Sequence, residues 1–252
     1  VNYDGFYLSF TREPVEVPEQ KDIDRFLPPF PEEQPKFSAD RPMSLGVVVL
    51  GGSTYSYFKY QVHLAMLNAS SVYQRISDEF QAIFSRSYEA VELYELEDAE
   101  YGFLMIGSFS SKAREAVDQL REAGWKIGLI RPRLLRPFPA DLLRKALSRL
   151  KGVAIIDQNL SPGLGGVLHT ETAAAIHYLP IRPILASFIG GLGGRDISAE
   201  EFYAMAENLR QAVMSGETPP PVLLFTEEER IDIHKLQLIA GTRPSPSGGN
   251  HD

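Results

Sequence analysis

The chain has 252 residues, of which 44% are hydrophobic and 23% charged, a composition typical of proteins that bury a sizeable apolar core. Its formal net charge of -8 disfavours binding to nucleic acid, and no apolar run approaches the roughly 20 residues that cross a bilayer. The absence of cysteine excludes disulfides, a catalytic thiol and iron-sulfur ligation by this chain.

The first 42 residues are rich in proline and acidic side chains. Their seven prolines exclude a long helix or a central strand, so we expect an extended arm that lies on another surface. The chain opens on Val1 and its stretch "NYDGFYLS" looks like the end of a domain. We therefore expect a fragment or a processed chain.

Regular structure is predicted from residue 45 onward. Apolar residues spaced by three or four over 60–85 predict a long amphipathic helix, and strands and helices then alternate. The predicted strands are 91–97, 101–108, 125–132, 153–159 and 182–191, and the predicted helices are 111–124, 139–152, 165–178 and 198–213. Ser198 and Glu201 have the spacing of a capping box at the start of the last helix.

Alternating strands and helices of this length predict an α/β fold with a mainly parallel open sheet and helices on both faces. The length fits one large domain with appendages or two small domains. After residue 214 we expect a tail with an apolar run at 222–225, a short helix at 227–238 and a disordered end at 243–252.

Two glycine-rich turns follow predicted strands, at 160–166 and 190–194. Ligands of open α/β sheets bind at the carboxyl ends of strands, so each turn is a candidate anion site. Neither turn has the G-x-G-x-x-G or P-loop spacing, and glycine also allows two backbones to approach closely. A rigid packing or interface turn is therefore the favoured interpretation of Gly190, Gly191, Gly193 and Gly194.

Charged residues accompany both turns. Asp157 and Asn159 end a strand, and without a histidine, lysine or second carboxylate nearby in sequence they are expected to cap a turn. Arg195 is expected to find a carboxylate or carbonyl partner within the fold or across an interface, with a solvated arginine as the alternative. Asp196 precedes a helix, whose dipole favours its charge.

A second basic stretch, "RPRLLRPFP", places Arg131, Arg133 and Arg136 on a strand-to-helix connection. Ion pairs within the domain or between subunits are the expected use, and the phosphates of a cofactor are the alternative. The histidines are scattered and none has zinc-site spacing, so ordinary hydrogen bonding is expected for each; they are His63, His169, His177, His234 and His251.

Several of these segments together resemble the alpha subunit of the pyruvate (2-oxoacid):ferredoxin oxidoreductases. The resemblance is carried, in this order, by "DGFYLSFTREPVEVPEQ" (4–20), "EDAEYGFLMIGS" (97–108), "LREAGWKIGLIRPRLLRPFP" (120–139), "IIDQNLSPGLGG" (155–166) and "GGLGGRDIS" (190–198). One position departs from the family, which often has histidine where this chain has Phe10.

The resemblance implies that residues 1–44 are the end of an absent thiamine pyrimidine-binding domain plus a linker. Residues 45–214 would form a domain similar to the C-terminal domain of transketolase, followed by a tail at 215–252. In the family this second domain does not carry carbon-carbon bond cleavage, so no catalytic, cofactor-binding or metal-binding residue is expected in this chain.

The resemblance also implies the whole reaction and its parts. A 2-oxoacid such as pyruvate, coenzyme A and oxidised ferredoxin would give acyl-coenzyme A, carbon dioxide and reduced ferredoxin, with the reverse carboxylation also possible. Thiamine diphosphate with Mg²⁺ and [4Fe-4S] clusters would belong to other subunits or domains of a cytoplasmic complex, with ferredoxin reached through it. The rival hypothesis is a stand-alone α/β module that binds an anionic small molecule at its glycine-rich turns.

Overall fold

The computed structural model describes residue 5 and residues 7–29, 37–46 and 48–241. The predicted disorder of 243–252 and parts of the N-terminal arm lie outside these residues. In chain order, the helices are α1 (Tyr7–Phe10), α2 (Gln20–Phe26), α3 (Gly52–Phe84), α4 (Ser110–Glu122), α5 (Ala140–Leu147), α6 (Val167–Ile176), α7 (Ala199–Ser215) and α8 (Glu227–Ile239). The strands are β1 (Val91–Tyr94), β2 (Tyr101–Met105), β3 (Ile127–Pro132), β4 (Gly152–Asp157), β5 (Ile184–Ile189) and β6 (Val222–Leu223).

The strands form one sheet in the order β1-β3-β2-β4-β5-β6. All neighbours are parallel except β1, which runs antiparallel to β3 at one edge. The α/β class and the mainly parallel sheet are therefore confirmed. The central strand β4 is buried along its whole length, as the continuous apolar run of its sequence predicts.

Helices cover both faces of the sheet, as predicted. On one face α4 and α7 pack over the even-numbered apolar positions of β4 and β5, with Phe103, Phe188 and Phe202 at the centre of the cluster. On the other face α5 and α6 pack over the alternate positions, around Ile155 and Leu185. Because strand residues point alternately to opposite faces, each buried strand contributes to both layers.

The N-terminal arm is not extended throughout. The segment between Pro18 and Pro28 is free of proline and forms the two turns of α2, whose last residue, Phe26, packs edge-on against two rings of α3. The ring centroids of Phe26 lie 5.3 Å from Phe80 and 5.6 Å from Phe84. The arm is thus tied to the body by aromatic packing at one short helix.

Helix α3 is longer than its sequence pattern predicts, since it begins at Gly52 instead of about residue 60. Its second half approaches the body, and both Tyr73 and Ser77 donate hydrogen bonds to the carbonyl of Tyr88. Its first half is exposed, including the predicted apolar positions Val62 and Met66. No helix in the described ranges is long and apolar enough to span a membrane.

The chain after α7 returns to the sheet. The apolar run predicted at 222–225 supplies β6, which pairs with Phe188 and Ile189 at the edge of β5. The predicted helix at 227–238 forms as α8, and a capping box between Thr226 and Glu229 begins it.

Candidate functional site

Both glycine-rich turns lie at the carboxyl edge of the sheet, on the neighbouring strands β4 and β5. The two turns also touch one another. The N-H of Gly190 donates to the carbonyl of Asp157 at 3.0 Å, and a Cβ on Gly191 would lie 3.2 Å from the Gln158 side chain. We call the residues 157–166 and 190–196 together the carboxyl-edge site.

The site coincides with points where the chain switches faces. The connection after β4 leads to α6 on one face, whereas those after β2 and β5 lead to α4 and α7 on the other face. Such switch points open the crevices that hold ligands in open α/β sheets. Here buried Phe109, at the start of α4, packs beside the second turn, since a Cβ on Gly191 would lie 3.3 Å from its ring.

Asp157 caps helix α6 from a position eleven residues upstream of Leu168. Its Oδ1 accepts from the Leu168 N-H at 2.7 Å and its Oδ2 from the His169 N-H at 3.1 Å. Asn159 donates to the same carboxylate at 3.1 Å and accepts from the Val167 N-H at 3.2 Å. The first three N-H groups of α6 are therefore all bonded to side chains of this chain.

The buried position of Asp157 and its hydrogen bonds act in opposite directions on the pKa of its carboxyl. Burial raises the pKa of this carboxyl above its ordinary value, while the hydrogen bonds from Leu168, His169 and Asn159 oppose the rise. Burial also lowers the pKa of His169, against the attraction of Asp157. The positive end of α6 thus already holds an internal carboxylate, which is the position that a bound phosphate would take.

Gly166 is required by this cap. A Cβ built on it would lie 2.0 Å from Oδ2 of Asp157, and its φ of -75° is one that any residue can adopt. Close approach of the carboxylate, not an unusual backbone conformation, explains glycine here. In the second turn the reason differs, because Gly191, Gly193 and Gly194 all have positive φ.

Arg195 joins the starts of two helices. Its Nε donates to the two carboxylate oxygens of Glu229 at 2.7 and 2.8 Å, and its Nη2 donates to Glu201 at 2.7 Å. Glu201 belongs to the capping box of α7 and Glu229 to that of α8. Both kinds of partner that the sequence left open for Arg195 are found within the fold, because its Nη1 also donates to the carbonyl of Asp196 at 3.0 Å.

The ion pair between Arg195 and Glu229 shifts the pKa of both residues. Burial by itself would lower the pKa of Arg195, but the hydrogen bonds to Glu201 and Glu229 raise it above its ordinary value. The bond from Arg195 lowers the pKa of Glu229. Asp196, the next residue, pairs with Lys112 of α4 and accepts from the Ile197 N-H at 2.9 Å.

The three arginines of "RPRLLRPFP" are also engaged within the chain. Arg131 and Arg133 pair with Glu92 of the edge strand β1, as does Arg114 of α4. Arg131 lies within β3, inside the predicted strand 125–132, while Arg133 and Arg136 follow it on the connection to α5. Arg136 pairs with Glu171 of α6 at 2.5 Å.

Sequence reasoning missed the acidic halves of these pairs. Glu92 and Glu229 stand in segments with ordinary surface composition, and the arginines that they meet are distant in sequence. The clue available for Glu229 is its spacing of three residues from Thr226, which is that of a capping box.

A cleft of about 270 Å³ separates the second glycine turn from α8. It is smaller than most small-molecule sites, which enclose about 300 to 1,000 Å³. Arg195 and Glu229 line this cleft and pair with each other. Within the described residues, no group of three or more histidine, aspartate or glutamate side chains is placed to hold a metal ion.

Comparison with known proteins gives matches over most of the chain. Residues 99–202 match the family model for the pyruvate:ferredoxin oxidoreductase core domain II. The pyruvate synthase subunit PorA of Methanothermobacter thermautotrophicus is 39% identical over 213 residues, which are 83% of this chain and 54% of the relative. The ketoisovalerate oxidoreductase subunit VorA of Pyrococcus horikoshii is 35% identical over 84% of this chain and 54% of its own length. The chain thus spans about half the length of these curated relatives.

Solved structures with similarity to the chain include the 2-oxoglutarate:ferredoxin oxidoreductase from Magnetococcus marinus. That match has a TM-score of 0.37 and 21% identity, and covers 58% of this chain and 23% of that chain. A split-gene transketolase, described as an inactive beta4 tetramer, matches with a TM-score of 0.41 and 16% identity over 50% of this chain and 45% of that chain.

Proposed function

Because this chain belongs to the alpha subunits of the pyruvate (2-oxoacid):ferredoxin oxidoreductases, with core domain II at residues 99–202, we propose that it is the non-catalytic, assembling part of such an enzyme. The reaction of the whole enzyme would convert a 2-oxoacid, coenzyme A and oxidised ferredoxin to acyl-coenzyme A, carbon dioxide and reduced ferredoxin. Pyruvate is the proposed substrate, since the pyruvate synthase subunit is 39% identical.

One observation supports a non-catalytic role above the others. The two helices that follow the carboxyl-edge site begin on this chain's own side chains, because Asp157 caps α6 while Ser198 and Glu201 cap α7. The positions that would bind an anion are thereby used for packing. These hydrogen bonds hold the two turns and the first residues of α6 and α7 in fixed positions. A surface that binds another subunit needs such a fixed shape.

The cofactors of the proposed enzyme would be held elsewhere. This chain has no cysteine, so it does not fit the ligand set of a [4Fe-4S] cluster. We place the clusters, thiamine diphosphate with Mg²⁺, and the coenzyme A site on other subunits or domains. Thiamine diphosphate would supply carbanion stabilisation there, and this chain's part would be orientation.

The division of the chain is part of the proposal. Residues 45–214 would be the domain proper, residues 1–44 the end of a thiamine pyrimidine-binding domain with its linker, and residues 215–252 a tail. The partners would be the thiamine-binding and iron-sulfur parts of the complex, with ferredoxin reached through them. We propose that the complex is cytoplasmic and works without nucleic acid or membrane.

The test compares the chain alone with the complex that contains it. A tagged chain is purified anaerobically, gently enough to retain bound subunits, and the reduction of methyl viologen by pyruvate and coenzyme A is followed. We expect the complex to reduce the dye and the isolated chain to give no signal above the buffer. Pyruvate-dependent reduction by the isolated chain would refute the non-catalytic role, and a chain that binds no subunit would refute the whole proposal.

A further inference from the structure

The second glycine turn has hydrogen-bond donors that no group of the described chain uses. Gly191 and Gly193 have φ of 73° and 66°, whereas Leu192 between them has no positive φ. Alternation of this kind brings successive backbone N-H groups together into a concavity that binds anions. Within the described residues the N-H groups of these three residues have no hydrogen-bond partner, although the next two N-H groups donate within the turn. Three adjacent donors are thus left for a group outside the turn.

Arg195 adds a positive charge beside these donors. Together with Gly191 and Leu192 it lines the cleft of about 270 Å³ that lies under α8. Liquid water takes about 30 Å³ per molecule, so the cleft has room for an ion of the size of acetate or phosphate. Leu223 and Phe225 make part of its wall apolar, which strengthens the attraction of an anion to the guanidinium.

The carboxylate of Glu229 already uses Arg195. Both of its oxygens accept from Nε, at 2.7 and 2.8 Å, so a carboxylate fits the guanidinium at this place. Glu229 comes from α8, 34 residues further along the chain, and its side chain is 36% exposed. It therefore stands where an external anion would bind, and it identifies the chemistry of that anion.

Helix α8 is attached weakly enough to give up this place. None of its residues is buried and three are half-buried. The ion pairs of Glu227 with Arg230 and of Asp232 with Lys235 lie within the helix itself and do not hold it to the body. Elements with few buried apolar contacts open at the lowest free energy, while the rest of the fold stays intact.

Arg195 stays paired when Glu229 leaves. Its Nη groups donate to Glu201 at 2.7 and 3.2 Å, so the guanidinium keeps one carboxylate and the start of α7 keeps its cap. Asp232, a second carboxylate in the lining of the cleft, belongs to α8 and moves away with it. The open turn then offers Nε and three backbone N-H groups to an incoming anion.

We propose that Arg195 and the N-H groups of residues 191–193 form a latent binding site for the carboxylate or phosphate group of a small molecule, which Glu229 keeps closed. The site goes beyond the assembling role, because it couples the binding of an anion to the position of α8. Tethering makes Glu229 a competitor at an effective concentration at least on the order of millimolar, so dilute anions do not open the site in the wild-type chain.

Amide NMR of the full chain tests the site. Glu229→Gln removes the internal charge at nearly constant size, and Glu227→Gln is the matched control, since Glu227 makes an exposed ion pair in the same helix. Wild type and both variants are titrated with sodium phosphate and, separately, with sodium acetate, at an ionic strength kept constant with sodium chloride. We expect one of these anions to bind Glu229→Gln at least ten times more tightly than it binds wild type or Glu227→Gln.

The position of the bound anion is read from the same spectra. The largest amide shifts in Glu229→Gln should fall on Gly191, Leu192 and Gly193, whose N-H groups are the proposed donors. The anion that binds more tightly tells whether the natural ligand carries a phosphate or a carboxylate. Adding Arg195→Gln to Glu229→Gln should weaken binding at least tenfold, and circular dichroism checks that the double variant is folded.

Equal affinity of Glu229→Gln, Glu227→Gln and wild type for both anions would overturn the inference. Amide shifts that are largest outside 190–196 would also overturn it, as would a folded double variant that binds as tightly as Glu229→Gln. If the double variant does not fold, the affinities and amide shifts of the single variants decide alone. The proposed function is tested separately, because co-purification of subunits does not depend on these titrations.

Discussion

The carboxylate of Asp157 accepts from two backbone N-H groups of α6, and the residue is only 1% exposed. Asp157→Ala removes the acceptor of both groups, and we expect the free energy of unfolding to fall by about 1 to 3 kcal/mol. Urea denaturation followed by circular dichroism measures the change. Asp232→Ala is the control, since Asp232 makes an exposed ion pair with Lys235 and its loss should cost less than about 0.5 kcal/mol.

Equal effects of the two substitutions would show that the long-range cap contributes nothing beyond a surface charge. A normal unfolding curve with lost assembly would instead indicate that the first turn contacts a partner directly. These outcomes separate packing within the chain from packing between chains.

The capping role of Asp157 was expected from its sequence, but its target was not. Sequence rules search for a cap directly before the helix, where Gly166 stands and has no side chain to offer. The true cap lies eleven residues before Leu168, and the glycine turn folds back to bring them together. Contacts of this kind depend on the path of the loop, which local spacing does not encode.

At the level of elements, α8 is fastened mainly through Glu229, Ile233 and Gln237, the residues of its half-buried face. Arg195 lowers the pKa of Glu229, so the stabilisation from this pair is present above the ordinary glutamate value of 4.5 and is lost as pH falls through the lower folded value. We expect acid to loosen α8 before it unfolds the sheet.

Methyl NMR of Ile233 measures this release, because its side chain faces the cleft beside the second glycine turn. On acidification the methyl chemical shift of Ile233 should move towards the value of an isoleucine in an unpacked helix. The methyl chemical shift of buried Ile127 in β3 should stay unchanged. In Glu229→Gln the Ile233 resonance should already be shifted at neutral pH and should no longer titrate. An unchanged titration in that variant would show that another group controls α8.

The sequence predicts most of the helices and strands. It predicts less well which strands lie side by side and which charged side chains pair. Each predicted strand and helix after residue 90 forms with ends shifted by a few residues, because alternation and capping are local properties. The edge position of β1 was not predicted, and ion pairing was expected for Arg133 without Glu92 being identified as its partner. They depend on strand order, which the spacing of apolar residues leaves open.

At the level of the whole molecule, ligand binding and subunit binding predict different thermal shifts. A ligand at a hundred times its dissociation constant stabilises a protein by about 2.7 kcal/mol, which raises Tm by several degrees. We expect inorganic phosphate, ATP and coenzyme A to leave the Tm of this chain unchanged, and added partner subunits to raise it. A shift caused by one of these anions and abolished by Arg195→Ala would favour the rival binding module.

The family could be identified from five segments of the sequence, whereas the exposure of α3 could not. Apolar periodicity indicates which side chains seek cover and does not say whether the cover belongs to the same chain. Val72 and Phe80 find it in the described residues, and Val62, ten residues before Val72, does not. An amphipathic helix with one covered side, as predicted for 60–85, therefore describes only the part of α3 from Ala69 onward.

The close approach of Asp157 to Gly166 also links the fates of these two positions during evolution. A Cβ at residue 166 would lie 2.0 Å from Oδ2 of Asp157, so an alanine there would displace the carboxylate from the start of α6. Aspartate at 157 is therefore expected to be accompanied by glycine at 166, and a side chain at 166 by a smaller residue at 157.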